Sequence, residues 1–285
     1  MGADAEEQKG LTILADVRGE QVRKDITEKE PGIRMTLAIQ VVDYKTCKVV
    51  PNAYVDIWSS NSTGIYTGVQ GYPGMGDPKD ASILKLTALR GVQPTDANGI
   101  ATFDGIFPGH YDGRATHIHG RSILTEKRGG KQTENANLFK TAIVYLGATK
   151  NANNTITGGR AAHIGQLYFD QSLIAAADKV TPYSGNRMAV TQNTNDFLFR
   201  QGANGDDPIV RYNLIGSKLE DGMYSWIRFG INQNTNRPLN PAAYMTSTGG
   251  VMNPNGPVAQ MNRGGFGGGG FPGVPGRPLS EEETD

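Results

Sequence analysis

One cysteine, two tryptophans and four histidines stand in a chain of 285 residues. Cys47 has no internal partner for a disulfide, so the fold must rest on a buried core rather than on covalent staples. Net charge is also lacking, because 28 Lys plus Arg meet 28 Asp plus Glu. That balance leaves no overall field for a polyanion and argues against nucleic acid or an anionic membrane surface as a partner. No run of about 18 apolar residues occurs, so no spanning helix is expected. Met1 to Lys9 is polar and acidic, unlike the basic and apolar layout of a secretory signal. What the chain has in quantity is turn material: 38 glycines and 15 prolines, a balance that suits short strands joined by turns.

The apolar pattern agrees. Met35, Leu37, Ile39 and Val41 alternate with Thr36, Ala38 and Gln40, the period of a half-buried strand. After the break at Pro51-Asn52, Val55 and Ile57 alternate with Tyr54, Asp56 and Trp58. Asn61 to Gly64 reads as a tight reversal that delivers Tyr66. Thr95-Asp96-Ala97-Asn98-Gly99 is a turn ahead of a strand at Ile100 to Phe103, and Phe107-Pro108-Gly109 is another ahead of His117 to His119. Further strands are expected at Ala142 to Leu146, at Gly165 to Phe169 and within Pro208 to Trp226. Asp170 to Lys179 is the one stretch with helical spacing, through Leu173, Ile174 and Ala177, and Pro182 stops it. Gln70 to Ala81 has no apolar period and reads as a long loop.

These features predict an all-β fold, a β-sandwich with long loops. Residues 1–20 form an amino-terminal extension, 21–248 the sandwich domain, and 249–285 a flexible Gly- and Pro-rich tail ending in acidic residues.

The stretch from Pro108 to His119 gathers three of the four histidines beside a tyrosine and an arginine. If His117 to His119 is a strand, the two imidazoles share a face with their backbones about 7 Å apart and can converge on one ion. A His-x-His pair alone is weak evidence, and what completes the set decides its meaning. Hard ferric iron prefers anionic oxygen donors, and a tyrosine with pKa near 10 becomes a phenolate at neutral pH when a strong Lewis acid displaces its proton. Tyr66, Tyr111, His117 and His119 would make such a set, and zinc rarely recruits tyrosine.

The ordered segments Val22 to Ile26, Pro51 to Trp58, Asn61 to Tyr66, Arg90 to Asp96, Pro108 to His119 and His163 to Asp170 together resemble the intradiol ring-cleavage dioxygenases, especially their fungal-type extracellular branch. The resemblance implies an intradiol sandwich holding one Fe(III) per chain, with Tyr66, Tyr111, His117 and His119 as ligands and Tyr111 the one that leaves on substrate binding. It implies that Arg114 supports charge on the bound ring and that Gln166 lines the same pocket. The reaction implied is cleavage of a catechol-type aromatic between its hydroxylated carbons with O2, giving a muconate-type diacid, with a small aromatic diol and O2 as partners. Ser59-Ser60 departs from the branch, where His-Cys is common. Cys47 occupies the place of the cysteine that would pair there. Secretion, which the branch implies, therefore stands against a cytoplasmic alternative. No helical segment like that of the bacterial catechol dioxygenases is read, so their dimer is not carried over and the chain is a monomer or a homodimer.

Each residue also has a plainer reading. His117 and His119 could simply pack, and Tyr66 could be one core tyrosine among eleven. Arg114 could pair with Asp112 at the surface, since strict alternation turns it away from His117 unless it still belongs to the preceding turn. Gln166 could satisfy a sheet edge. His163, on the face opposite Gln166 or on its approach loop, and His110 read as structural, and Cys47 as a half-buried, unreactive thiol. Two rival functions stay open. The same iron could serve as a Lewis acid for hydration, dehydration or rearrangement, or the chain could be a non-catalytic β-sandwich binding module. Substrate choice is placed in Gln70 to Ala81 and Gly129 to Leu138.

Overall fold

The computed structural model describes residues 11–14, 17–18, 21–71, 80–120, 122–125, 143–203, 205–237, 239, 241–246, 249–256 and 259. In chain order the strands are β1 Leu11–Leu14, β2 Val17–Arg18, β3 Arg34–Asp43, β4 Tyr54–Ser59, β5 Arg90–Pro94, β6 Ile100–Ile106, β7 His117–Gly120 and β8 Ser122–Thr125. They continue as β9 Ile143–Lys150, β10 Ile156–His163, β11 Gly165–Tyr168, β12 Arg211–Leu214, β13 Met223–Ile231, β14 Ala243–Thr246 and β15 Gly249–Met252. Two short helices, α1 Gln171–Ala177 and α2 Phe197–Gly202, lie between β11 and β12. Among the described residues no helix is long and apolar enough to cross a membrane.

Two sheets form the sandwich. One runs β10-β9-β4-β7-β11 with β5 also on β4, and the other runs β12-β13-β3-β6. Alternation drives their closure: Met35, Leu37, Ile39 and Val41 of β3 and Met223, Ile227, Phe229 and Ile231 of β13 are buried against Val55 and Ile57 of β4, Ile118 of β7 and Leu167 of β11. β3 and β13 are parallel neighbours, and β3 and β6 antiparallel. The strands expected at residues 35, 54, 100, 117, 142 and 165 are all present, several longer than their apolar pattern.

Other elements escaped the pattern. β5 holds only one aliphatic side chain, and β10 contains Gly158 and Gly159, both at positive φ, so neither shows a strand's period. α2 is too short to show a helical one. Helix α1 forms as expected, with the Asp170 side chain accepting from Leu173 N at 2.9 Å. Strand pairing crosses both expected domain boundaries: β1 pairs with β8, β2 runs parallel to β14, and β15, inside the expected tail, pairs with β14. Cys47 is exposed, not half-buried, in a turn at positive φ. Residues 72–79 of the long loop, Gly129 to Leu138, and the tail beyond 256 apart from 259 lie outside the described residues.

Candidate metal centre

Two turns locked against each other bring the tyrosines together. The Asn61 side-chain oxygen accepts from Thr63 N at 3.0 Å and from Ile65 N at 3.0 Å, closing the first turn. Gly64 sits there at φ +81°, where a Cβ would lie 2.1 Å from the His110 carbonyl oxygen, so only glycine fits both the angle and the contact. A Cβ at Gly109 would meet Ser62 O at 2.4 Å. Ser60 is buried and donates to Gly109 O at 2.8 Å, which gives the departure from His-Cys a structural use. The rings of Tyr66 and Tyr111 end 5.5 Å apart, nearly perpendicular.

Strand register supplies the rest. His117 and His119 point to one face of β7 while Ile118 enters the main core. Opposite His119 stand Trp58 of β4 and Gln166 of β11, and opposite His117 stands Tyr168. Cross-strand neighbours share a face, so these side chains gather over one patch. His119 meets the rings of Tyr66 at 4.9 Å and Trp58 at 5.5 Å, and His117 meets Tyr168 at 5.6 Å.

Arg114 belongs to the preceding turn, which removes the difficulty of alternation: Tyr111 and Arg114 form an isolated bridge before β7 begins. It turns inward and is 7% exposed. Its Nε donates to Asp196 Oδ2 at 3.0 Å, and its Nη2 donates to Gln166 Oε1 at 2.6 Å and to the Tyr168 hydroxyl at 3.1 Å. The surface pairing with Asp112 is therefore not formed. Tyr168 also donates to Gln166 Oε1, at 2.5 Å.

The donor atoms converge. His117 Nδ1 lies 2.5 Å from Ala115 O, an acceptor, so the proton is on Nδ1 and the Nε2 lone pair faces the patch. His117 Nε2 is 2.9 Å from His119 Nε2 and 3.3 Å from the Tyr111 hydroxyl. Two ligand atoms at about 2.0–2.1 Å from a shared ion and at right angles are about 3 Å apart, so the spacing fits. The Tyr66 hydroxyl is fully buried and makes no hydrogen bond of normal geometry, although Tyr111 and Ser60 lie near it. Among the described residues no three His, Cys, Asp or Glu side chains gather to hold a metal, so a metal here depends on tyrosine oxygen.

Burial governs the charges. It holds His117 well below the usual histidine range, helped by the Arg114 charge. It does the same to His119, helped by His117 and then Arg114. Both are neutral and able to ligate. Burial pushes the Tyr66 and Tyr168 hydroxyls up, so both stay protonated without a metal. Burial works against the charge on Arg114, but Tyr168, Tyr111 and Asp196 outweigh it and the guanidinium stays charged.

Of the remaining histidines, His110 contacts Met188 O at 2.8 Å and Asp178 at 3.5 Å. His163 stacks on Phe229 at 4.8 Å, on the core side. Three residues of the cluster carried no assigned role in the sequence. Trp58 and Tyr168 lie inside recognised segments and could have been found by projecting strand faces. Asp196 had only a local signal, a capping carboxylate ahead of Phe197-Leu198-Phe199.

A family model described as a dioxygenase matches residues 11–131, a span that includes Tyr66, Tyr111, Arg114, His117 and His119. The fold matches a solved intradiol ring-cleavage dioxygenase from Tetranychus urticae, 28% identical with a TM-score of 0.58, over 78% of this chain and 92% of that one. In fold and in part of its sequence the chain is similar to the intradiol ring-cleavage dioxygenases. A second solved dioxygenase, 26% identical with a TM-score of 0.56, matches over 79% of this chain and 98% of its own. A comparison with curated proteins finds no match. Gln166, Tyr168 and Asp196 join the cluster from beyond the end of the family model.

Proposed function

We propose that this protein holds one Fe(III) per chain between Tyr66, Tyr111, His117 and His119 and cleaves a catechol-type aromatic between its two hydroxylated carbons, placing both atoms of O2 in a muconate-type diacid. The observation that carries this reading is that His117 Nε2 lies 2.9 Å from His119 Nε2 and 3.3 Å from the Tyr111 hydroxyl, with the buried Tyr66 ring packed against both His119 and Tyr111. When bound, ferric iron supplies the Lewis acidity that lets phenolates form at neutral pH and makes a chelated catechol electron-rich toward oxygen.

The chain's own groups divide the remaining work. Tyr66, locked behind Gly64 and packed on Trp58 at 4.6 Å, stays in place. Tyr111 lies in the turn before β7, where its oxygen, as a phenolate, would accept a catechol proton. Arg114 presents a fixed positive charge to the negative charge that develops on the substrate, in a buried setting where such a charge acts strongly. Gln166 links Arg114 to His119. Trp58, Tyr66 and Tyr168 wall the patch against water.

Iron analysis, a visible spectrum and oxygen uptake with a panel of catechols test the reading together. The protein should be red to brown with one iron per chain, the spectrum should change on catechol addition, and uptake should be stoichiometric. Turnover under strict anaerobiosis would replace cleavage by Lewis-acid chemistry at the same site, and a colourless zinc protein would remove the iron assignment. Colour without turnover of any aromatic would leave a binding module.

A further inference from the structure

We propose that Asp196 is a positioning residue for this site, setting the direction of Arg114 and the backbone ahead of the histidine strand. The inference rests on the ring-cleavage reading for its catalytic consequence. Asp196 is 82 positions from Arg114 in sequence and 1% exposed. A buried carboxylate is costly unless its oxygens are met by donors, and here four donors meet them. Oδ1 accepts from Leu198 N at 2.8 Å and Phe199 N at 3.1 Å, capping α2. Oδ2 accepts from Arg114 Nε at 3.0 Å and Ala115 N at 2.8 Å. One oxygen serves the helix and the other serves the site.

The consequences for Arg114 follow from its donor count. A guanidinium has five N–H groups in a fixed fork. Asp196 takes the Nε proton, and Gln166 and Tyr168 take Nη2, so among the described residues only Nη1 has no acceptor. A long side chain that could sample many rotamers is thus held with one amino group left over for a ligand. Ala115 is gripped at both ends, its N–H by Asp196 and its carbonyl by His117 Nδ1. The same carboxylate therefore bears on the tautomer and aim of His117.

Asp196→Asn separates the two duties, because Asn caps helices about as well as Asp. Its single side-chain oxygen can keep α2 while its amide meets Arg114 Nε donor to donor. We expect kcat/KM for catechol to fall ~10²-fold with kcat affected more than KM, while the thermal midpoint moves by only a few degrees. In an Arg114→Ala background the same change should cost several-fold less than in the wild type, the remainder reaching His117 through Ala115, since residues acting through one another are not additive. Asp196→Ser, which also caps, should behave alike and stands in if the Asn variant fails to fold. A separate reading needs no turnover: in the full chain held free of paramagnetic metal, the Arg114 Nε–H resonance should be protected from exchange in the wild type and lose that protection in both variants. Unchanged kcat/KM, a fully additive loss with Arg114→Ala, or an unchanged Nε–H signal would each overturn the proposal. A wild-type protein that cleaves no catechol sinks the ring-cleavage reading alone, and the resonance comparison then decides whether Asp196 sets Arg114.

Discussion

The Nε2 atoms of His117 and His119 face each other across 2.9 Å. His117 already spends its Nδ1 proton on Ala115, so in the metal-free chain the one proton between the two rings belongs to His119. A cation held between the two rings would need both Nε2 lone pairs, with the His119 proton moved to Nδ1. His119→Asn should therefore lower the iron retained after purification to under about a tenth of the wild-type content, whereas His110→Asn, at a histidine engaged with Met188 and Asp178, should leave it unchanged. Metal analysis of the two variants checks this, and equal losses would remove the distinction between the histidines.

Acid should destabilise the metal-stripped protein. Burial depresses His117 and His119 in the folded chain, whereas an unfolded histidine titrates near 6.5. Above that value neither state is protonated and the stability is fully present. As pH falls below it the unfolded chain gains protons that the folded one refuses, so stability is lost with each step. Two such groups give about 3 kcal/mol between pH 7.5 and 5.5. Urea midpoints of chelator-treated protein at the two pH values measure it, and the double variant His117→Asn, His119→Asn should flatten the difference.

Tyr66 should show opposite effects with and without iron. Its hydroxyl is buried and makes no hydrogen bond of normal geometry, so the metal-free chain already bears a desolvation cost of about 1–3 kcal/mol there. Tyr66→Phe should leave metal-free stability unchanged or raise it by up to ~1 kcal/mol, while the iron-loaded variant loses most of its visible band. A metal-free variant destabilised by 2 kcal/mol or more would show that the hydroxyl has a partner within the protein.

Sequence periodicity reached the sandwich because its central strands bury one face: Met35 to Val41 and the histidine strand repeat every second residue. It failed at β5 and β10, where glycines and charged side chains interrupt the period, and at the domain edges, where β2, β14 and β15 are held by pairing rather than by an apolar pattern. At the site, the rings of Tyr66, Tyr111, His117 and His119 lie side by side. Gln166, which the family resemblance put in the pocket, shares a strand face with Tyr168 opposite the histidines. Asp196 was not legible, since it arrives from a separate segment and its local signal is that of an ordinary helix cap. Arg114 was ambiguous for the same reason: its partner depended on a contact across 82 positions.

Gln166 lies between two demands, and a single substitution should expose them. Its Oε1 meets two donors, Arg114 Nη2 at 2.6 Å and the Tyr168 hydroxyl at 2.5 Å. Its amide nitrogen is therefore the atom 3.2 Å from His119 Nδ1. That arrangement suits a His119 whose proton is on Nε2. A His119 that gives Nε2 to a metal carries its proton on Nδ1, where it meets the amide N–H, and one of the two must turn. Gln166→Glu offers an oxygen at both ends, one for Arg114 and Tyr168 and one for His119 Nδ1–H, the carboxylate–histidine pairing that fixes tautomer and raises ligand basicity. Iron should then be retained ~10-fold longer against a chelator than in the wild type, and ~10-fold less long in Gln166→Ala. Catechol turnover should fall in both variants, because Gln166→Glu tightens its hold on Arg114 and Gln166→Ala releases it. If the Glu variant sheds iron as fast as the Ala variant, the proton on His119 is not what Gln166 reads.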